Sequence, residues 1–142
     1  MPAQSQTLSP LQLAAYLAHL RVPSSPTLTQ LVAHHLRYVP FESLSLHYTP
    51  TPGIDISLAA VYAKVVGAGA GRGGYCMEVN TLFCALLRTL GFSVFTTGAR
   101  VSTAVTSNGK DTSGDFTGWN HKTLLVKDAG AHWLVDVGFG GK

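Results

Sequence analysis

The sequence predicts an α+β fold, an N-terminal helical bundle followed by the start of an antiparallel β-barrel or sheet. Two observations carry this. All seven prolines lie at or before position 52, and fourteen of the fifteen glycines lie at or after position 67, a composition shift of the kind that marks a change of architecture. Apolar residues recur at helical spacing up to about residue 90 and alternate with polar ones beyond it. Helices followed by strands argue for α+β. The boundaries that follow are a helical domain over 1–91 and a partial β domain over 92–142.

Each element has its own signal. Ser9-Pro10 reads as an N-cap followed by proline at the first helical position. Leu13, Tyr16, Leu17 and Leu20 then form one stripe. Thr27 and Gln30 fit a capping box, and Leu28, Leu31, Val32 and Leu36 give a second stripe that ends at Pro40. Phe41 to Leu46 reads as a short helical turn and His47 to Gly53 as a loop. Ser57 caps a third helix to about Val66, and the run Gly67 to Gly74 breaks it. A fourth helix runs from about Tyr75 to Leu90, with Gly91 just past its end. Phe92 to Val105, rich in Val, Thr and Phe, reads as one or two strands, and Thr106 to Gly118 as a loop. His121 to Lys127 and His132 to Val137 alternate around the turn Asp128-Ala129-Gly130, which makes a hairpin.

Composition excludes several classes. Of 142 residues, 46% are hydrophobic and only 12% charged, the opposite of a disordered chain. The net charge is +3, with no basic run, so nothing points to nucleic acid. No stretch approaches 18 apolar residues, so no membrane-spanning helix is expected. The first ten residues lack the basic start and apolar core of a secretory signal. Two cysteines make no disulfide framework. The expectation is a cytoplasmic protein in a reducing compartment. So few charges also mean either a compact fold or some apolar surface left for a partner.

The most informative stretch is Arg72-Gly73-Gly74-Tyr75-Cys76. The glycines allow a sharp turn and close backbone approach. Cys76 then falls in the first turn of an apolar helix, where unpaired amides favour a thiolate. Arg72 adds a full charge if its side chain folds back. A buried, inert core cysteine is the other reading of the same helix. Cys84 is the internal control. Eight residues rise ~12 Å, beyond disulfide reach, and its neighbours are Phe83, Ala85 and Leu86.

A nucleophilic cysteine needs a base, and the base an orienting group. With a turn centred on Asp128-Ala129, His121 faces Asp136, and any register of the same parity keeps them on one face. Asp136 sits in the otherwise apolar run Leu134 to Val137. A carboxylate there needs a partner. His19, His34, His35, His47 and His132 have no cysteine or acid at ligand spacing, and read as solvated or structural. No spacing resembles a zinc site, so no metal is expected. The run Gly67 to Gly71 follows a helix and lacks Gly-Lys-Ser/Thr, so it is not a nucleotide loop.

Arg72-Gly73-Gly74-Tyr75-Cys76-Met77-Glu78-Val79-Asn80 resembles the active-site signature of arylamine N-acetyltransferases, Arg-Gly-Gly-x-Cys-x-Glu-x-Asn. Pro40-Phe41-Glu42-Ser43-Leu44 is similar to that family's Pro-Phe-Glu-Asn-Leu segment, with Ser43 in place of Asn. Asp136-Val137-Gly138-Phe139-Gly140 resembles the family segment that holds its acid. The resemblance implies a cysteine-proteinase-like core with Cys76 as nucleophile, His121 as its proton partner and Asp136 orienting that histidine. It implies ping-pong acetyl transfer from acetyl-CoA, as co-substrate, to a small arylamine or arylhydrazine. Backbone amides near Cys76 would be oxyanion donors, and Arg72 with Glu42 a structural salt bridge. A cysteine hydrolase of the same triad type, or an inactive remnant that only binds, are the alternatives. The family also runs well beyond this chain's last motif. The coenzyme A contacts are therefore not assigned, and self-association through an exposed sheet edge is expected.

Overall fold

The computed structural model describes residues 6–48, 53–67 and 71–139. The elements, in order, are α1 (Pro10–Leu20), α2 (Leu28–Tyr38), α3 (Leu44–His47), α4 (Leu58–Val65), α5 (Cys76–Thr89), β1 (Ser93–Ser102), α6 (Thr103–Thr106), β2 (Phe116–Asp128) and β3 (Ala131–Val135). The prolines of the loop after α3, the residues inside the Gly67–Gly71 run and Gly140 lie outside the described residues.

The helix starts follow their caps. Ser9 and Gln12 form a reciprocal capping box on α1, and Thr27 and Gln30 form another on α2. Ser57 Oγ accepts from the Ala60 amide at the start of α4. At the end of α5, Gly91 takes φ +90°, the left-handed conformation that closes a helix. Three expectations shift, the first being that β2 begins at Phe116, so Phe116 to Gly118 leave the expected loop for the strand. His47 belongs to α3 rather than to the loop after it. Thr103 to Val105 leave the strand for the short turn α6, whose first amides Ser102 Oγ caps through Ala104.

The strands form an open antiparallel sheet in the order β1-β2-β3. Three strands close no barrel, so only the antiparallel sheet of the expected architecture is present among the described residues. The hairpin register is two positions further on than the sequence suggested. Leu124 pairs with Val135 and Asp128 with Ala131. Ala129 and Gly130 therefore form the two-residue loop, both at positive φ (48° and 80°), as a strand-compatible two-residue turn requires. Parity is unchanged, so residues 121 and 136 still share a face.

α5 carries the core. Val79, Leu82, Phe83, Leu86 and Leu87 are buried among Tyr16, Leu20, Leu31, Val61 and Val65 of the other helices. The same cluster takes in Leu124, Val126 and Val135 of the sheet. One helix thus packs on both the bundle and the sheet, and its N-terminus falls where the two meet. No helix of the described residues is long and apolar enough to cross a membrane.

Candidate active site

Three chain segments build the site around Cys76, the first residue of α5. The first segment reaches it from upstream. Pro40-Phe41-Glu42 lies alongside Gly73-Gly74, with Gly74 N donating to Pro40 O (3.3 Å) and Glu42 N to Gly74 O (3.1 Å). A Cβ at Gly73 would run into the Pro40 carbonyl, so glycine is what permits this approach. The pairing delivers Glu42 to Arg72. Glu42 Oε1 accepts from Arg72 Nε (3.0 Å) and Nη2 (2.9 Å) and faces Lys64 Nζ at 3.3 Å. Lys64 also holds Glu78 at 2.8 Å, and Glu78 Oε2 accepts the Tyr75 amide at 3.1 Å.

Glu78 is only 2% exposed. A carboxylate that buried requires a cation and hydrogen bonds, and Lys64 and Tyr75 supply them. Burial pushes the Glu42 carboxyl up. The Leu44 amide at 2.6 Å, with Lys64 and Arg72, outweighs burial and holds it below the usual range. Arg72 is thus committed to Glu42 and Ser45, and does not turn its charge on the thiol as the sequence allowed.

The second segment is β2. Its register with β1 slips between Ala99 and Arg100, which pair with His121 and Trp119. Asn120 is the extra residue of a bulge. Its carbonyl lies 3.9 Å from Cys76 Sγ, and His121 follows immediately. His121 is 7% exposed and meets the Phe139 ring edge-on, 5.3 Å between centroids.

The third segment follows β3. Asp136 Oδ2 is hydrogen-bonded to His121 Nε2. Its other oxygen accepts from Asn80 Nδ2 (3.0 Å) and from the Gly138 amide (2.9 Å). Asn80, fully buried in α5, also donates to Lys122 O (2.7 Å) and accepts from Val137 N (3.1 Å). A Cβ on Gly138 would stand 2.7 Å from Cys76 Cα and 2.8 Å from Val79 Cγ2. This loop therefore touches the helix start directly.

The structure brings Cys76, His121 and Asp136 into one neighbourhood. Cys84 lies apart in the core, 3% exposed, and burial pushes its thiol up against the smaller pull of Arg88 and Lys122. His35 is also buried, between Tyr16 and Phe83. Sequence reasoning missed Lys64, and it placed Asn80 and Gly138 in motifs without foreseeing their contacts to Asp136. The available signal for Asn80 was its fixed place in the signature Arg-Gly-Gly-x-Cys-x-Glu-x-Asn, since a buried amide needs partners. Among the described residues no group of three His, Cys, Asp or Glu could hold a metal ion.

Beside His121 lies an open cavity of ≈ 290 Å³, lined by Met77, Thr96, Thr97, Gly98, Trp119 and Lys122. A larger apolar groove of ≈ 550 Å³ runs between α2 and β3, past Leu28, Val32, Leu36, Trp133 and Leu134. Of Cys76, His121 and Asp136, only Asp136 lines the groove.

An N-acetyltransferase family model matches residues 25–142. The chain belongs to the arylamine N-acetyltransferase family. An N-malonyltransferase FDB2 of Gibberella moniliformis is 39% identical over 127 residues, covering 87% of this chain and 36% of the relative. The arylamine N-acetyltransferase structure from Salmonella typhimurium superposes with a TM-score of 0.74 at 33% identity, over 96% of this chain and 47% of that one. The arylamine N-acetyltransferase of Mycobacterium marinum, solved in complex with CoA, gives 0.71 at 32%, over 90% and 46%. The chain therefore spans less than half the length of these relatives.

Proposed function

We propose that this chain carries the acyl-transfer chemistry of an arylamine N-acetyltransferase through Cys76, His121 and Asp136. Acetyl passes from acetyl-CoA to the Cys76 sulfur, and an arylamine or arylhydrazine then attacks the thioester. The observation that carries the reading is the Asp136 carboxylate, one oxygen on His121 Nε2 and the other held by Asn80 and Gly138. A carboxylate fixed in this way orients the imidazole and leaves Nδ1 for the thiol proton. Cys76 at a helix N-terminus supports the thiolate. Backbone amides of that first turn are the oxyanion donors in this reading. The thioester splits one transfer into two and stays reactive toward a weakly basic amine. The named activities of the relatives include acetyl and malonyl transfer, which differ only in the acyl group carried.

Intact-protein mass spectrometry after incubation with acetyl-CoA tests this. An acetyl adduct is expected on Cys76 and lost on adding an arylamine. If no adduct forms while iodoacetamide still labels Cys76 ahead of Cys84, the thiol is activated but the transferase reading fails. Equal, slow labelling of both cysteines removes the activated thiol as well.

A further inference from the structure

Successive residues of β2 turn to opposite faces of the sheet, so His121 and Lys122 point apart. Lys122 shares its face with Leu124 and Val126, which join the core around α5. Thr96 of β1 pairs with Leu124 and lies on that face too. Between this face and α5 is a cavity of ≈ 50 Å³, lined by Gln6, Thr81, Cys84, Arg88, Thr96 and Lys122. Cys84 and Arg88 lie eight and twelve residues along α5 from Cys76, axial rises of ~12 Å and ~18 Å. The cavity is therefore separate from the acyl site.

Two cations line it, and no acid answers them. Lys122 Nζ donates to Thr81 Oγ1 at 2.6 Å, and Arg88 Nη2 donates to the Val94 carbonyl at 3.3 Å. Both acceptors are neutral. Among the described residues every ion pair lies elsewhere: Lys64 with Glu42 and Glu78, Arg72 with Glu42, and His121 with Asp136. Burial pushes the half-buried Lys122 ammonium down; the thiols of Cys84 and Cys76 oppose this, and Arg88 adds to it. The buried Cys84 thiol in turn feels the pull of both cations. Two like charges drawn partly out of water are unfavourable until an opposite charge joins them.

The donors and the space fit one kind of ligand. An ammonium carries three N–H donors and a guanidinium five, and the bonds above use one of each. The Thr81 hydroxyl is already directed to the Met77 carbonyl at 2.6 Å. At ~10–15 Å³ for each water-sized occupant, the cavity has room for about four oxygen-sized atoms, the outer shell of one tetrahedral oxyanion. We propose that Arg88 and Lys122 form a binding site for one small tetrahedral oxyanion, with free inorganic phosphate as its ligand. The guanidinium fork takes two oxygens and the ammonium a third, as charge-assisted bonds. The bound ion ties α5 to β2 and, through Thr96, to β1. It takes no part in acyl transfer, so the site stands or falls apart from that reading.

Iodoacetamide reads the site through Cys84, which lines the cavity, with Cys76 as the internal control. At constant ionic strength, phosphate in place of chloride is expected to slow Cys84 alkylation saturably. The slowing is about tenfold at ten times the half-saturating concentration, and the Cys76 rate is unchanged. Lys122→Met and Arg88→Gln are each expected to lose this protection, and Lys122→Arg to keep most of it. Glucose 6-phosphate at the same concentration is expected to protect poorly, because the cavity takes the ion and not the sugar. Absence of protection overturns the proposal. So does slowing that is linear in phosphate and equal in the variants, which is the general effect of an excluded salt. Protection by the sugar phosphate as strong as by phosphate overturns it too, since the free ion is then not the ligand. If a variant fails to fold, the contrast between the two cysteines of wild type decides alone.

Discussion

His35 sets how the fold responds to acid. It is fully buried between Tyr16 and Phe83, with ring centroids 6.1 and 5.0 Å away. Neither of its nitrogens has a hydrogen-bond partner among the described residues, nor do Tyr16 Oη and His19 Nε2. Burial, with a smaller contribution from His19, lowers its pKa from 6.5 to about 3. A folded-state pKa below the unfolded one means that the unfolded chain binds the proton first. Stability is therefore unaffected above pH 6.5 and falls as the pH drops below it.

At ~1.36 kcal/mol per pH unit, the loss between pH 7 and pH 4.5 is about 2.5 kcal/mol from this one ring. Urea denaturation of wild type and His35→Leu across that range isolates it, because other groups titrate alike in both. The gap between the two stability profiles is expected to move by about 2.5 kcal/mol in favour of the variant as the pH falls. Parallel profiles would refute the argument, and would mean that the ring has a hydrogen-bonded or solvated route to its proton.

Four further outcomes follow from the site. Lys64→Met leaves Glu78 as an uncompensated buried carboxylate and is expected to cost about 3–5 kcal/mol. Adding Glu78→Gln should recover much of it in a double-mutant cycle by denaturation. Asn80→Ala strips partners from Asp136, Lys122 O and Val137 N, at roughly 1–3 kcal/mol for each buried group left unmade. Alkylation of Cys76 is expected to slow, and an unchanged rate would show that Asp136 needs no such clasp. Gly138→Ala forces the loop after β3 away from Cys76 and Val79, with an expected loss of about 1–3 kcal/mol and slower alkylation of Cys76. Phe95, Leu125 and Leu134 form an exposed apolar row across the sheet. Leu134→Lys on the edge strand is expected to reduce association in light scattering.

The helices were legible because their signals are local. Ser9, Thr27, Ser57 and Gly91 each act within four residues, and the stripes on α1 and α2 need only a 3.6 period. Cys76 and Asp136 stood out as candidates for a different reason, each being a reactive or charged side chain set against a glycine-rich or apolar run, and His121 followed from hairpin parity opposite Asp136. The hairpin register was not, because it turns on Ala129 accepting a left-handed conformation that alanine disfavours. The partner of Glu78, and the Asn80 and Gly138 contacts on the second oxygen of Asp136, were hidden as well. Lys64 looks like any solvent-facing lysine of a helix, and only tertiary packing turns it inward. The Arg72–Glu42 salt bridge, by contrast, was expected from the family resemblance and is present across thirty positions.

The Asn80 clasp also sets an order of events. Its bonds to Asp136 and Val137 span 56 and 57 positions, whereas α5 closes through contacts four residues apart. Helices of this kind form early, and contacts between distant segments form late. On a ribosome, the segment bearing Cys76 emerges long before Val137 exists to meet it. In the proposed triad, the thiol is therefore born without the histidine–carboxylate pair and meets it only when the last described loop docks. Reactivity at Cys76 becomes a clock for the completion of folding, readable by pulse alkylation during refolding.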